Sequence, residues 1–316
     1  MIHRNTDGTA DRAPQAAGLA AWRQAGLRFA HGGLGQFYRR GGAGSAGALL
    51  CLHGFPTASW DWHALWPTLV ARFARVLAPD LLGFGWSDKP PGHAYSVLDQ
   101  ADRCEALLAA EGVRRVHLLA HDLGDSVAQE LLARDLARRA EGAEGLIVLS
   151  AVFLNGGLFP EVHRPRLVQR LLLTPLGPWL VRRYDARRFG RSLAAVFGPR
   201  TQPSAQQLQE FWQLLCHDDG LRVLPQLIGY IPERRARRAR WVGALQRTPA
   251  PLRLIVGLAD PVSGAPLAAR YSACVPRADV VPLPGIGHYP QIEAAEAVAA
   301  DFLAFHDRLA ARGGPA

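Results

Sequence analysis

Short apolar runs, parted by glycine-rich turns and by stretches of helical periodicity, set the pattern of this chain. Leu49–Leu52, Val76–Pro79, Val116–Ala120, Leu146–Val152 and Leu252–Gly257 each read as strands too apolar to keep a solvated face. Two further strands near Leu27–Ala30 and Gly35–Tyr38 precede them, and a last short one begins at Val280. Val97, Ala101, Cys104 and Leu108 recur at helical spacing and mark a crossover helix. Ile292, Ala295, Val298, Phe302 and Phe305 mark a closing amphipathic helix. Buried strands alternating with helices predict an α/β fold with a mostly parallel, eight-stranded sheet flanked by helices, which binds ligands at the carboxyl ends of its strands. From 156 to 245 the pattern changes to a segment rich in Leu, Arg, Trp and Pro without strand alternation, read as an inserted helical cap. The expected organisation is therefore core (1–155, with 1–20 flexible), cap (156–245) and core again (246–316).

The chemistry collects where the apolar runs end. Ala120-His121-Asp122-Leu123-Gly124 has the small-x-nucleophile-x-small form of a strand turning sharply into a helix, with aspartate at the central position. A carboxylate with an ordinary pKa of about 3.9 is already ionised at neutral pH and needs no base to attack. Attack on an acyl carbon would give a mixed anhydride, whereas attack on a saturated carbon gives a stable ester. The elbow therefore points to opening an epoxide or displacing a halide. Ser126 lies four positions further on, already on the helix, which argues against a serine esterase. His53-Gly54-Phe55-Pro56 ends another buried strand and offers the Phe55 N–H beside that of Leu123 as an oxyanion hole, with His53 structural. Asp260 follows one late strand and His288, flanked by Gly287, follows the next. The order nucleophile, acid, histidine gives His288 the role of activating water and Asp260 that of holding its tautomer.

His53–Pro56, the run Asp80–Pro90, the elbow and Gly287-His288-Tyr289-Pro290 together resemble the epoxide hydrolase and haloalkane dehalogenase branch of the α/β hydrolases. Within it, His121–Leu131, Asn155–Pro165 and Arg240–Leu245 resemble the mesoderm-specific transcript hydrolases. The resemblance implies the α/β-hydrolase fold and a cofactor-free, metal-free hydrolase with catalytic Asp122, Asp260 and His288. It also implies cap tyrosines that protonate an epoxide oxygen: Tyr230 sits where one is expected, and Tyr184 is a weaker candidate for a second. Asn155 is a candidate donor to a substrate or leaving group. Leu123 replaces the tryptophan whose indole N–H helps hold a halide in this branch, so epoxide hydrolysis leads and dehalogenation follows. A non-catalytic fold used for binding or regulation is the alternative from another class.

Composition fits one compact enzyme, and the resemblance implies a small apolar substrate. The 316 residues are 49% hydrophobic with mean hydropathy near zero, and the longest apolar stretch, Leu146–Leu154, is too short to span a bilayer. No signal-like leader opens the chain. The expectation is therefore a cytoplasmic protein without stable membrane insertion, with a homodimer as a candidate assembly. Cys51, Cys104, Cys216 and Cys274 stand far apart, as reduced thiols do. The net charge of +9 comes almost wholly from arginine, since Lys89 is the only lysine. That bias does not imply nucleic-acid binding. The cluster Glu233–Arg240, lacking interleaved aromatics, reads as a solvated helix face. Phe153, Phe159, Trp179, Trp212 and Tyr230 are candidates to line an apolar pocket.

Overall fold

The computed structural model describes residues 18–312. Eight strands form one sheet: β1 (Gly26–His31), β2 (Leu34–Gly41), β3 (Ala46–Leu52), β4 (Phe73–Pro79), β5 (Arg115–Ala120), β6 (Ile147–Phe153), β7 (Leu252–Gly257) and β8 (Val280–Leu283). Their order is β1-β2-β4-β3-β5-β6-β7-β8. The β1–β2 and β2–β4 pairs are antiparallel and the remaining pairs parallel. The apolar runs explain this arrangement. Leu49 to Leu52 and Leu118 to Ala120 are all fully buried, as strands covered on both faces must be.

Register then places the chemistry. β3 pairs with β4 on one side and β5 on the other, so the order of connection reverses between β3 and β5. A crevice opens at such a reversal. Leu52 lies level with Ala120, and Ala120 level with Phe153. The segments that follow these three residues, carrying Phe55, Asp122 and Asn155, therefore emerge at the same height.

The crossover helix spans Val97–Ala110, and Val97, Ala101, Cys104 and Leu108 are all buried in it. The closing helix is broken: Ile292 belongs to a short turn of helix, Pro290–Glu293, and the long helix Ala295–Ala311 starts after it. Between β6 and β7 the described chain is helical and turn, from Leu167–Leu172 to Arg238–Arg247, with no strand. The last of these helices lies along Leu123–Glu141, where Arg240 and the Trp241 indole both donate to Glu130. The flexible leader expected over 1–20 falls outside the described residues up to 17, and Leu19–Gln24 is a short helix whose Trp22 is buried.

Candidate active site

Asp122 caps the amino end of the helix Leu123–Glu141 with φ 46° and ψ −103°. A non-glycine residue in that region carries strain of order 1–3 kcal/mol, sustained here by packing on every side. Close approach explains the small neighbours. A Cβ on Gly124 would lie 2.2 Å from the Leu52 carbonyl oxygen, and one on Gly54 would lie 2.9 Å from the Asp122 Cβ. The helix points its positive amino end at the carboxylate, a favourable place for negative charge.

The Phe55 N–H donates to Asp122 Oδ2 at 3.1 Å, and the Tyr230 hydroxyl approaches the same oxygen at 3.4 Å. Leu123 is the first residue of the helix, so its N–H has no acceptor within it. His288 Nδ1 pairs with Asp260 Oδ2 at 2.8 Å. Asp260 also accepts from the Val262 N–H at 2.7 Å and the Ser263 hydroxyl. The histidine is held from behind as well, because His121 Nε2 donates to the His288 carbonyl oxygen at 2.8 Å.

The charges settle each other. Burial alone would raise the Asp122 carboxyl, but Arg234 and His288 outweigh it and hold the group below its usual range. Burial likewise opposes ionisation of Asp260, which the His288 charge and the Ser263 and Val262 bonds overcome, keeping it well below the carboxylate range. Burial would lower His288, but the Asp260 charge and hydrogen bond and the nearby Asp122 push it up to about 9. Burial pushes the Tyr230 hydroxyl well above 10, and the Asp122 charge adds to the effect, so it remains a donor.

Asn155 departs from its expected role. Its Nδ2 donates to the Gly257 carbonyl and to Asp260 Oδ2, each at 2.9 Å, and its Oδ1 accepts the Gly257 N–H at 2.7 Å. The amide is spent on the loop that carries Asp260 and has no hydrogen directed at a ligand. The reading of Glu233–Arg240 as a solvated face also needs correction. Arg237, Arg238 and Arg240 do pair at the surface with Glu233, Glu161 and Glu130. Arg234 does not: it is 1% exposed, donates from Nε to Ser126 Oγ at 2.6 Å, and brings Nη2 to 3.2 Å from Asp122 Oδ1. The signal was in the spacing. Tyr230 and Arg234 are four apart on the helix Tyr230–Ala236, so a tyrosine turned toward Asp122 takes the arginine with it.

His163 was also missed as a separate feature. It is buried, its Nε2 meets no hydrogen-bond partner among the described residues, and burial together with Arg234 lowers it to about 3, which keeps it neutral. His53 is structural as expected, accepting from the Leu81 N–H at Nε2. The run Asp80–Pro90 is structural too, since Asp80 accepts from the Ser59 and Trp86 N–H groups and ties the turn together.

A cavity of about 520 Å³ reaches Phe55, His288 and Tyr289 from beneath the inserted helices. Tyr184 and Trp179 line it, whereas Phe153 and Phe159 are buried and do not. No cluster of side chains among the described residues could hold a metal ion.

A family model described as the alpha/beta hydrolase family matches residues 49–301. The chain belongs to that family. Among curated relatives of this hydrolase, the human mesoderm-specific transcript homolog protein is 44% identical over 283 residues, covering 87% of this chain and 84% of that protein. The putative hydrolase LipZ of Mycobacterium tuberculosis is 40% identical over 88% of this chain and 94% of its own. The solved structure of the epoxide hydrolase CorEH without ligand superposes with a TM-score of 0.74 at 18% identity, over 90% of this chain and 99% of that one. That likeness concerns the fold.

Proposed function

We propose that this hydrolase opens epoxides through an ester on Asp122, with the inserted helices acting as a cap. The observation that carries the reading is the Asp122 carboxylate itself. It is ionised and buried, with Oδ2 on the Phe55 N–H and with Tyr230 at 3.4 Å as a protonated donor. In this reading Oδ1 attacks a ring carbon, the C–O bond breaks, and the leaving oxygen takes the Tyr230 proton. Water then attacks the ester carbonyl while His288 takes its proton. The Phe55 and Leu123 N–H groups hold the oxyanion; as the ester C–O bond breaks, the departing alkoxide takes the proton of the re-formed Asp122 carboxyl and leaves as the diol. Water plus epoxide gives diol, and no cofactor enters.

The charge coupling times the base. In the resting enzyme Asp122 and Asp260 both favour imidazolium on His288. Esterification removes the Asp122 charge, so the pKa of His288 falls; its proton returns to the Tyr230 oxygen, and the imidazole is neutral when water attacks. Haloalkane hydrolysis draws less support, because Leu123 has no indole donor and the Asn155 amide is committed to Asp260. A binding role without turnover draws on the Arg234 contact to Oδ1, the oxygen that would attack. Unpaired cysteines at all four positions support a reducing, cytoplasmic location.

One experiment separates these readings. A single turnover of an epoxide in oxygen-18 water should place label on Asp122, and His288→Gln should accumulate the ester as a mass increase on the elbow peptide. Label passing only to product would refute the covalent step, halide release without diol would reassign the substrate, and no turnover would favour binding.

A further inference from the structure

Six large apolar side chains are exposed among the described residues, and five of them fall between Leu167 and Trp179. Leu167 is 72% and Leu176 60% exposed, far more than a folded chain needs to leave outside. Such a concentration marks a contact surface rather than scattered exposure. Its charge is equally one-sided. Between Glu161 and Asp185 the sequence holds five arginines and no acidic residue. Arg164, Arg170, Arg182 and Arg183 are exposed and meet no carboxylate within 4.0 Å among the described residues. The Arg183 guanidinium instead lies over the Trp179 ring, 4.1 Å from its centroid.

The same segment contributes to the cavity entrance. Leu167, Leu171, Trp179 and Arg183 line the space that leads to His288, while Leu173 and Leu176 lie outside it. The occupant must therefore cover leucines and neutralise arginines together. A second copy would set one arginine cluster against its own image, which repels. Nucleic acid would meet the arginines and leave the leucines in water. An anionic bilayer satisfies both, because apolar side chains sink to the headgroup boundary while cations rest among the phosphates.

We propose that the face from Arg164 to Arg183 seats peripherally on an anionic phospholipid surface, so that the cavity opens into the bilayer and draws an apolar substrate from it. No helix among the described residues is long and apolar enough to cross a membrane; the attachment inferred here is reversible docking. The docking rests on this surface alone; delivery of the substrate to Asp122 rests also on the proposed reaction.

The test is co-sedimentation with phosphatidylcholine vesicles, with and without one-third phosphatidylglycerol. Wild type should bind the anionic vesicles about tenfold more tightly or better, and release in high salt. Leu173→Asp with Leu176→Asp should reduce binding about tenfold or more, and Arg170→Gln with Arg182→Gln should abolish the anionic preference. These positions are exposed, so the variants should keep the wild-type near-ultraviolet circular dichroism. Equal binding to both vesicle types, undiminished binding by the leucine variant, or a wild-type dimer that this variant dissociates would overturn the proposal. Delivery is read separately with a long-chain epoxide dissolved in the vesicles and a short water-soluble one. Loss of turnover on the first alone in the leucine variant supports it. Absence of turnover on both, with vesicle binding intact, refutes the reading of Asp122 and upholds the docking.

Discussion

Arg234 and Asp122 form a buried ion pair, 3.2 Å apart, that joins the inserted helices to the strand-to-helix elbow. The arginine is the largest favourable influence on an aspartate whose ionisation burial opposes. Removing one partner of such a pair leaves a buried charge uncompensated, at a cost of about 3–5 kcal/mol. Arg234→Gln should therefore lower the urea midpoint and move the acid limb of the pH–rate profile upward, because Asp122 then ionises at higher pH. Arg234→Lys should restore part of the acid-limb position. An unmoved limb in the glutamine variant would show that the arginine is not what keeps Asp122 ionised.

Tyr230→Phe keeps the ring that packs near Phe55, at 5.9 Å between centroids, and removes only the hydroxyl. The variant should fold normally and lose about 10²–10⁴-fold in epoxide opening, the usual contribution of a positioned acid. Rapid-quench measurement of ester formation tests this, and an unchanged rate would assign the proton to another group.

Asn155 holds Asp260 through one 2.9 Å hydrogen bond and Gly257 through two more. Asn155→Ala should leave ester formation nearly intact while slowing ester breakdown about 10²-fold, since misplacement of a positioned group costs on that order. The ester should then build up in mass spectra during turnover. Equal loss in both steps would mean that the loop as a whole has moved.

Acid should unfold the protein steeply. Burial lowers His53 and His117 to about 4, and His121, His163 and His306 to about 3. Each stays neutral in the fold while the unfolded chain protonates near 6.5, so stability is full above that pH and drains as the pH falls. Asp80, pushed up to about 6 by burial, and the raised Asp61 and Asp125 act in the opposite sense by keeping protons in the fold. The buried histidines outnumber these carboxyls, so the unfolded chain should take up protons as the pH falls below 6.5 and stability should decline. Urea titrations at pH 7, 6 and 5 would reveal it, and a flat series would contradict these shifts. His288 adds nothing there, being charged in both states; its contribution is lost only as the pH rises through about 9.

Much of this geometry was legible in the sequence because strands announce themselves by uniform apolarity and functional residues sit at their carboxyl ends. Phe55, Asp122 and the Asp260–His288 pair were all placed by that rule. Asn155 was placed correctly at the end of β6 and given the wrong partner, because strand ends show proximity but not where an amide is spent. Arg234 was misread for a different reason. An arginine-rich helix looks solvated until one knows which side faces the protein, and that depends on tertiary contacts. The exposed leucines of Leu167–Leu172 were invisible for the converse reason: apolar periodicity predicts burial, and nothing local says that the burying partner is missing.

The helix Tyr230–Ala236 carries both the proposed proton donor and the counter-ion of Asp122, and it belongs to the inserted segment rather than to the sheet. Lifting that segment would withdraw both at once, leaving a bare carboxylate and no acid. Such a site would behave as an interlock: were the segment raised for exchange of substrate and product, the chemistry would be disconnected, and only its return would arm it again.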